Sequence, residues 1–422
     1  MKNTDSFHKK LSFSDIPQGL EETMLKGKTV ILGVTGSIAA YKSANIASML
    51  VKMNADVHVL MTKNAANFIN PITFETLTGH KCLVDTFDRN FNYNIEHVAL
   101  GTKADVALVA PASANIIAKM AHGIADDMLS TTLLACRCKK IVAPAMNTNM
   151  YENPITQENL RTLQKFGAEV IEPDEGRLAC RKNGRGKMPS EDTLVNYVLR
   201  EIQFEKDMAG KRVLVTAGAT REAIDPVRFI TNHSTGKMGY ALAQTAMRRG
   251  AEVTLVSGHT NLTPPVGTNV IQAESAGDMF EIVKELAGSQ DIIIKAAAVA
   301  DYTPAAVSGQ KIKKQEGPLA LDLTRTADIL AWLGEHKKKG QFLCGFSMET
   351  ENLIENSRKK RQKKKADMIV ANSLNTEGSG FGVDTNAVTL ILPDETKELP
   401  LMSKDDAAAN ILDEIMKRLG QE

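Results

Sequence analysis

With 422 residues the chain exceeds what one ordinary core encloses, so two domains of about 150 to 220 residues each are expected. Fifty-one basic residues against 50 acidic leave no global field to attract a nucleic acid or a membrane surface. Five cysteines, an odd number, exclude a simple disulfide framework and point to a reducing compartment.

Residues 1–27 read as a polar N-terminal extension without the apolar stretch of a signal peptide. No apolar run approaches the ~18 residues of a spanning helix, so a cytoplasmic chain with no membrane partner is expected. The first strong signal follows: "TVILGV" is an apolar strand ending in the turn of Gly33 and Gly36, then come a helical pattern and a second strand, "ADVHVLMT". The turn "GVTGSIAAYK" sets backbone amides and Ser37 at a helix start, an arrangement suited to an anion. "ADVALVAP" repeats the arrangement with Ser113 and Asn115 in "APASANIIAK", and "KKIVAPA" leads into "APAMNTNMYENP", which sets Asn147 at the mouth of the sheet.

Cys136 and Cys138 of "CRC" are too few for a zinc site and read as packing residues. Cys180 stands among Arg177, Arg181, Lys182 and Arg185, a setting that favours its thiolate and partial exposure. Residues 191–209, within "MPSEDTLVNYVLREIQFEKDMAGK", combine charges with a helical pattern and are taken as the linker, with the boundary near residue 200.

From residue 210 the plan starts again: "RVLVTAGAT" is a strand and glycine turn, and an insertion precedes the helix "KMGYALAQTAMRRG" and the strand "AEVTLVSG". "DIIIKAAAVADY", "FLCGFSM" and "ADMIVAN" add strands. Short continuous apolar strands alternating with helices predict an α/β fold with mainly parallel sheets covered on both faces, and two such runs predict two nucleotide-type, flavodoxin-like or Rossmann-like domains. Ligands then belong at the carboxyl ends of the strands.

Within the second half, "TNHSTGKMG" invites a P-loop reading but fails the template at Thr231 and Met238. Neither glycine turn spells G-x-G-x-x-G with an acid ~20 residues on, which disfavours a nicotinamide-dependent oxidoreductase. Residues 358–365, "RKKRQKKK", invite a nucleic-acid reading, yet the neutral chain opposes it. Lys360 and Lys364 are four apart, so a helix aims both at one place.

"GSIAAYK", "PASAN" and "PAMNxxMYxNP" resemble the flavin-dependent cysteine decarboxylases, across residues 28–190. The resemblance implies an FMN site that includes Gly36, Ser37, Thr62, Ser113 and Asn115. It further implies an active-site histidine at His97, a substrate-carboxylate ligand at Asn147 and a catalytic cysteine on a mobile flap at Cys180. The flap departs from the family in having Arg181 and Lys182 after the cysteine. In that family FMN oxidises the thiol-bearing carbon, which lets carbon dioxide leave, and then returns the hydride.

"TAGATREAIDPVRFITNHSTGKMG", with "AAAVADY", "KIKK", "GFSMET" and "ADMIVAN", resembles the phosphopantothenate-cysteine ligases across residues 210–422. This implies that CTP activates a carboxylate as an acyl-cytidylate. Asn232 would stabilise that intermediate and Lys311 would promote its formation. Ala297, Asp301, Lys311, Phe346, Lys360 and Lys364 would surround CTP, with Asp301 a candidate for Mg2+. "RTADIL" departs from the family at Thr326-Ala327, where Asn-Pro is usual. The two halves in this order resemble the bifunctional enzymes of coenzyme A biosynthesis, which implies small-molecule substrates and a homo-oligomer with trimeric decarboxylase and dimeric ligase contacts, up to a dodecamer.

Overall fold

A computed structural model describes residues 24–86, 96–177, 183–313, 320–349, 351–373, 378–380 and 382–420. The chain divides between Phe204 and Glu205 into two compact units.

The first unit runs β1 (Thr29–Val34), α1 (Ala40–Lys52), β2 (Asp56–Met61), α2 (Pro71–Thr78), α3 (Glu96–Lys103), β3 (Val106–Ala112), α4 (Ala114–His122), α5 (Met128–Ala135), β4 (Lys139–Pro144), α6 (Thr148–Tyr151), α7 (Pro154–Lys165), β5 (Glu169–Val170), β6 (Asp174–Arg177), β7 (Asn183–Lys187) and α8 (Glu191–Ile202). Every residue of β1 and β3 is buried, as an interior parallel strand requires. The sheet order is β2-β1-β3-β4-β5 and all its pairs are parallel. That is the flavodoxin-like order, which reverses between β1 and β3. One face packs Ile31, Ala107 and Val109 against Ile117 of α4 and Leu129 and Leu133 of α5. Cys136 is buried in this same cluster and Cys138 packs against it.

Residues 191–202, placed in the linker by the sequence reading, instead form α8 of the first unit. Its buried Leu194, Val195, Val198, Leu199 and Ile202 make one apolar stripe, which packs on β3, β4 and α1. Ser190 caps it by accepting from the Thr193 amide at 3.2 Å.

The second unit runs β8 (Arg212–Ala217), β9 (Glu222–Ala223), β10 (Phe229–Ile230), α9 (Lys237–Arg248), β11 (Glu252–Ser257), β12 (Asn269–Gln272), α10 (Ala276–Ala287), β13 (Ile292–Lys295), β14 (Tyr302–Pro304), β15 (Leu323–Arg325), α11 (Ile329–His336), β16 (Phe342–Glu349), α12 (Leu353–Lys363), β17 (Met368–Ser373), β18 (Thr385–Asn386), β19 (Val388–Ile391), β20 (Thr396–Glu398), β21 (Met402–Ser403) and α13 (Lys404–Leu419). Its sheet order is β12-β11-β8-β13-β16-β17-β19-β20. The first six strands are parallel in the Rossmann order, reversing between β8 and β13, whereas β19 and β20 extend the edge antiparallel.

Alternation along the strands fills both faces. Val213, Val215 and Ile294 meet Leu242 of α9 and Ile411 and Ile415 of α13. Leu214 and Ile293 meet Met279 of α10 and Leu330 of α11 on the other side. Among the described residues no helix is long and apolar enough to cross a membrane.

Candidate active sites

In the first unit the turns that follow β1, β2 and β3 are fastened together. The buried Thr35 hydroxyl donates to the Pro111 carbonyl at 2.7 Å and accepts from the Ser113 amide at 2.9 Å. The Ser43 hydroxyl donates to the Ala110 carbonyl at 2.6 Å. A Cβ on Gly36 would stand 2.8 Å from Asn64 Cβ, so glycine is what lets the β1 turn meet the β2 turn. The Thr62 amide donates to the Val34 carbonyl at 3.0 Å, and its hydroxyl accepts from the Ala65 amide at 3.3 Å. Gly36, Ser37, Thr62 and Ser113 are thereby brought to the strand-order reversal. Asn115 is exposed in the first turn of α4, and the Ser113 side chain leaves that helix start uncapped.

Asn147 is exposed at the N-cap of α6, where its Oδ1 accepts from the Asn149 amide at 2.9 Å. Its turn is tied to the end of β3 by the Ala145 amide, which donates to the Ala112 carbonyl at 3.0 Å. The β6–β7 hairpin lies against the same turn. The Met146 amide donates to the Gly186 carbonyl at 3.0 Å, while a Cβ on Gly186 would come within 2.2 Å of the Met146 carbonyl oxygen and one on Gly184 within 2.5 Å of Thr148 Oγ1. Only glycine permits that approach. Cys180, between these two strands, lies outside the described residues. His97 belongs to α3, and its side chain also lies outside them.

In the second unit, Gly218 and Gly236 both hold left-handed φ angles near +80°, and a Cβ on Gly236 would stand 3.1 Å from the Gly218 amide nitrogen and Cα. The "TNHSTG" segment therefore lies directly on the β8 turn, just before α9. Half-buried Asn232 donates from Nδ2 to the Ala298 carbonyl at 2.9 Å and accepts at Oδ1 from the Ser234 amide at 3.0 Å. The Thr231 hydroxyl donates to the Thr220 carbonyl at 2.8 Å. The turn after β13 joins the cluster, with the Ala297 amide donating to Thr216 Oγ1 at 3.1 Å and the Ala300 amide to Thr220 Oγ1 at 3.1 Å. Lys237 is spent elsewhere, 2.6 Å from Asp384 and 2.9 Å from the Gly382 carbonyl.

Exposed Lys311 sits on a loop held by a pair of residues the sequence reading passed over. The Asp225 carboxylate accepts from the Ile312 amide at 3.1 Å, the Val227 amide at 2.8 Å and Arg228 Nε at 3.0 Å, and Arg228 Nη2 donates to the Ile312 carbonyl at 2.9 Å. The guanidinium beside Asp225 holds its carboxyl below the usual range. The available signal was the "DPVR" spacing, in which an acid three residues before an arginine follows a glycine turn.

A cluster of lysines lies beyond β13 and β16. Lys360 Nζ donates to the Phe346 carbonyl at 3.0 Å, and Lys364 pairs with Asp328, the N-cap of α11. Lys295, the last residue of β13, donates to the Ala297 carbonyl at 3.1 Å. Burial pulls its ammonium from 10.5 down to about 8, and the charge of Lys360 pushes the same way. Burial lowers Lys360 as well. Asp301 is exposed at the rim and makes no ion pair among the described residues. Thr326, where the family has asparagine, donates its hydroxyl to the Ala300 carbonyl at 2.6 Å and its amide to the Asp301 carbonyl at 3.0 Å. Elsewhere in the 358–365 run, Lys359 pairs with Glu355 at 2.7 Å and Arg358 donates to Thr396 at 2.9 Å.

Two α/β units, each gathering its polar side chains where the strand order reverses, define a tandem pair of nucleotide-type binding domains. Residues 18–203 match the flavoprotein family, and residues 208–419 match the DNA/pantothenate metabolism flavoprotein C-terminal domain. The coenzyme A biosynthesis bifunctional protein CoaBC of Bacillus subtilis is 48% identical over 396 residues, covering 93% of this chain and 97% of its own. Its counterpart in Vibrio vulnificus is 43% identical over 94% of this chain and 99% of its own. A solved C-terminal domain of a coenzyme A biosynthesis bifunctional protein is 46% identical over 52% of this chain and all of its own, with a TM-score of 0.45. The chain belongs to the family of bifunctional coenzyme A biosynthesis proteins.

Proposed function

We propose that the chain catalyses two successive steps of coenzyme A biosynthesis. The second unit joins 4'-phosphopantothenate to cysteine at the expense of CTP, and the first decarboxylates the product to 4'-phosphopantetheine with FMN. The observation that carries this reading is the near full-length likeness to bifunctional relatives, 48% identical over 93% of the chain, with both family matches in that order.

In the ligase reaction the phosphopantothenate carboxylate attacks the α-phosphorus of CTP and pyrophosphate leaves. The cysteine amine then displaces CMP from the acyl-cytidylate. Lys311, on its clamped loop, meets negative charge as the first step proceeds, and Asn232 stabilises the acyl intermediate. Ala297, Phe346, Lys360 and Lys364 line the CTP site. Asp301 is the carboxylate that would hold Mg2+, an ion that needs few protein ligands when phosphates supply the others.

Because Asp225 holds the Lys311 loop, Asp225→Ala is expected to slow pyrophosphate release by ~10- to 100-fold, as a displaced catalytic group does. Decarboxylation of supplied 4'-phosphopantothenoylcysteine by the same preparation is the internal control. An unchanged pyrophosphate rate removes the loop-positioning role.

In the first unit Gly36, Ser37, Thr62, Ser113 and Asn115 would hold FMN. The uncapped start of α4 and the glycine-dependent approach of the turns suit a phosphate and a flat ring system. Bound FMN supplies the redox chemistry, withdrawing and later returning a hydride at the thiol-bearing carbon of the substrate. Asn147 offers amide donors to the substrate carboxylate without neutralising it before carbon dioxide leaves. His97 handles the thiol proton, and Cys180 delivers the final proton to carbon.

Self-association and a cytoplasmic home complete the reading. The family likeness implies a homo-oligomer, with trimeric contacts in the first unit and dimeric ones in the second. The thiols of Cys82, Cys136, Cys138 and Cys344 are unbonded, which supports a reducing compartment. Incubation of the purified protein with phosphopantothenate, cysteine and CTP should yield CMP, pyrophosphate, carbon dioxide and 4'-phosphopantetheine, identified by mass. A colourless protein that regains no flavin when FMN is added overturns the decarboxylase half, and an absence of CMP overturns the ligase half.

A further inference from the structure

We infer that Asp56, His58 and His80 form a binding site for a divalent transition-metal ion of the Zn2+ class, at the end of the first unit's sheet opposite the turns assigned to FMN.

The two ends of β2 face different surroundings. Its carboxyl end leads into Thr62 and the strand-order reversal, whereas Asp56 opens the strand. Six steps of about 3.3 Å put Asp56 roughly 20 Å from Thr62. Residues two apart on a strand share a face, so "DVH" sets Asp56 and His58 side by side. His80 arrives from the far end of α2. It follows Gly79, which closes that helix with a left-handed φ of 72°, and its amide donates to Thr78 Oγ1 at 3.2 Å. Three residues later the chain is laid along the edge of β2, where the Leu83 amide donates to the Val59 carbonyl at 3.0 Å and the Leu83 carbonyl accepts from the Met61 amide at 2.9 Å. Anchors on both sides of His80 therefore bring its ring to the start of β2.

Both imidazoles converge on one carboxylate oxygen. His80 Nε2 lies 2.7 Å from Asp56 Oδ1, and His58 Nε2 lies 3.3 Å from the same atom. The two rings stack with centroids 4.3 Å apart, which presents their nitrogens side by side. All three donor atoms lie within 4.8 Å of one another. Donors on a tetrahedral ion at bond lengths of ~2.0 to 2.1 Å stand about 3.4 Å apart, so small side-chain rotations bring these three to one centre. The oxygen does not serve both rings equally. His58 Nε2 is buried, and its approach to Oδ1 lacks hydrogen-bond geometry, so it has no hydrogen-bond partner among the described residues. An ion held between the three atoms satisfies that nitrogen together with the other two donors.

The donor set selects the metal. Lys103 pairs with Asp56 Oδ2 and leaves Oδ1 to the ion. One carboxylate beside an ammonium carries little net negative charge, so Ca2+ and Mg2+, which need several oxygen ligands, are poorly served. Two imidazoles and one carboxylate suit Zn2+ and leave its fourth position to water. So far from the FMN turns, the ion takes no part in the decarboxylation. It acts as a clip that fastens the exit of α2 to the edge strand.

The test titrates Zn2+ into the untagged full chain, freed of metal with EDTA and without nucleotide, by calorimetry. Wild type should bind one Zn2+ per chain at a site that His80→Ala weakens by about 100-fold or more, since even changes outside the ligand set cost 10- to 100-fold. Asp56→Asn should weaken the same site, and Mg2+ in large excess should not displace the ion. Zn2+ should raise the melting temperature of wild type and leave that of His80→Ala unmoved. X-ray absorption at the zinc edge should find two imidazole nitrogens. Uptake of equal affinity in His80→Ala and His58→Gln places the ion elsewhere and overturns the inference, as does a wild type that takes up no Zn2+. Ready displacement by Mg2+ overturns the assignment of metal class. The His80 side chain is 41% exposed, so its truncation spares the core and carries the comparison should His58→Gln not fold. None of these outcomes depends on the ligase or decarboxylase reading.

Discussion

Asn232→Asp is expected to leave a ligase that activates phosphopantothenate but transfers it poorly, with amide-forming turnover reduced by ~100- to 1,000-fold, the usual effect of losing one donor aimed at developing charge. Asn232 is held from both ends of its amide, donating to the Ala298 carbonyl at 2.9 Å and accepting from the Ser234 amide at 3.0 Å. Aspartate keeps the acceptor for Ser234 and loses the donor. It also turns a carboxylate oxygen towards the Ala298 carbonyl and adds a negative charge where the acyl-phosphate bond forms. The Ser234 side of the turn therefore stays built while the dipole on the Ala298 side reverses. Rapid quench and mass analysis should find acyl-cytidylate accumulating towards one equivalent per site, with pyrophosphate released in a burst. Unchanged steady-state turnover sinks the role of Asn232, and a thermal melt shows whether any loss is local.

That same segment illustrates what the sequence carries and what it hides. The Gly-Lys pair suggests a phosphate lysine, but Lys237 is bound to Asp384, 147 residues away in the chain, a pairing with no local signature. The amide at Asn232 sits at the strand-order reversal because β8 and its glycine turn place it there, and that plan is legible in the strand, turn and helix pattern. Strands buried on both faces announce themselves as apolar runs, so the inner parallel strands of each sheet could be read directly, whereas the short, partly exposed edge strands β5 and β12 were missed. The antiparallel β19 and β20 could not, because β19 at four residues and β20 at three are too short for a periodic signal.

Residues 191–209 read as a linker because charged residues stand at both ends of the stretch, yet the spacing of Leu194, Val198 and Ile202 makes a helix face. Nothing local in the sequence distinguishes Gly184 and Gly186, and their purpose emerges only from the turn of Asn147 that they approach. Asp225 shows its local half in the "DPVR" spacing, but its hold on Ile312, 87 residues on, has no sequence signature, and neither has the charge of Lys360 that acts on Lys295.

The hairpin built on those glycines sets the second large effect. Cys180→Ser should release carbon dioxide once per site at close to the wild-type rate and then fail at the final reduction, lowering 4'-phosphopantetheine output by ~100- to 10,000-fold, the range expected when a positioned general acid is lost. A free thiol titrates near roughly 8.5 and falls further beside cations, whereas a serine hydroxyl stays protonated far above that range and is a poor donor to carbon. Arg177 closes β6 and Arg185 lies in β7, the strands on either side of Cys180 in the sequence, where Arg181 and Lys182 follow it directly. Their charge favours the thiolate left when the proton has gone, which makes the thiol the stronger acid. The base of the hairpin is fixed to the Asn147 turn through the Met146 amide and the Gly186 carbonyl, so the strands flanking Cys180 and the turn of Asn147, the carboxylate ligand we propose, share one anchor. Serine preserves that anchor and changes only acidity. Carboxyl-labelled substrate in a single-turnover experiment should therefore show label lost as carbon dioxide while an unreduced enethiol accumulates by mass, and normal 4'-phosphopantetheine output from the serine variant would refute the proton-donor role.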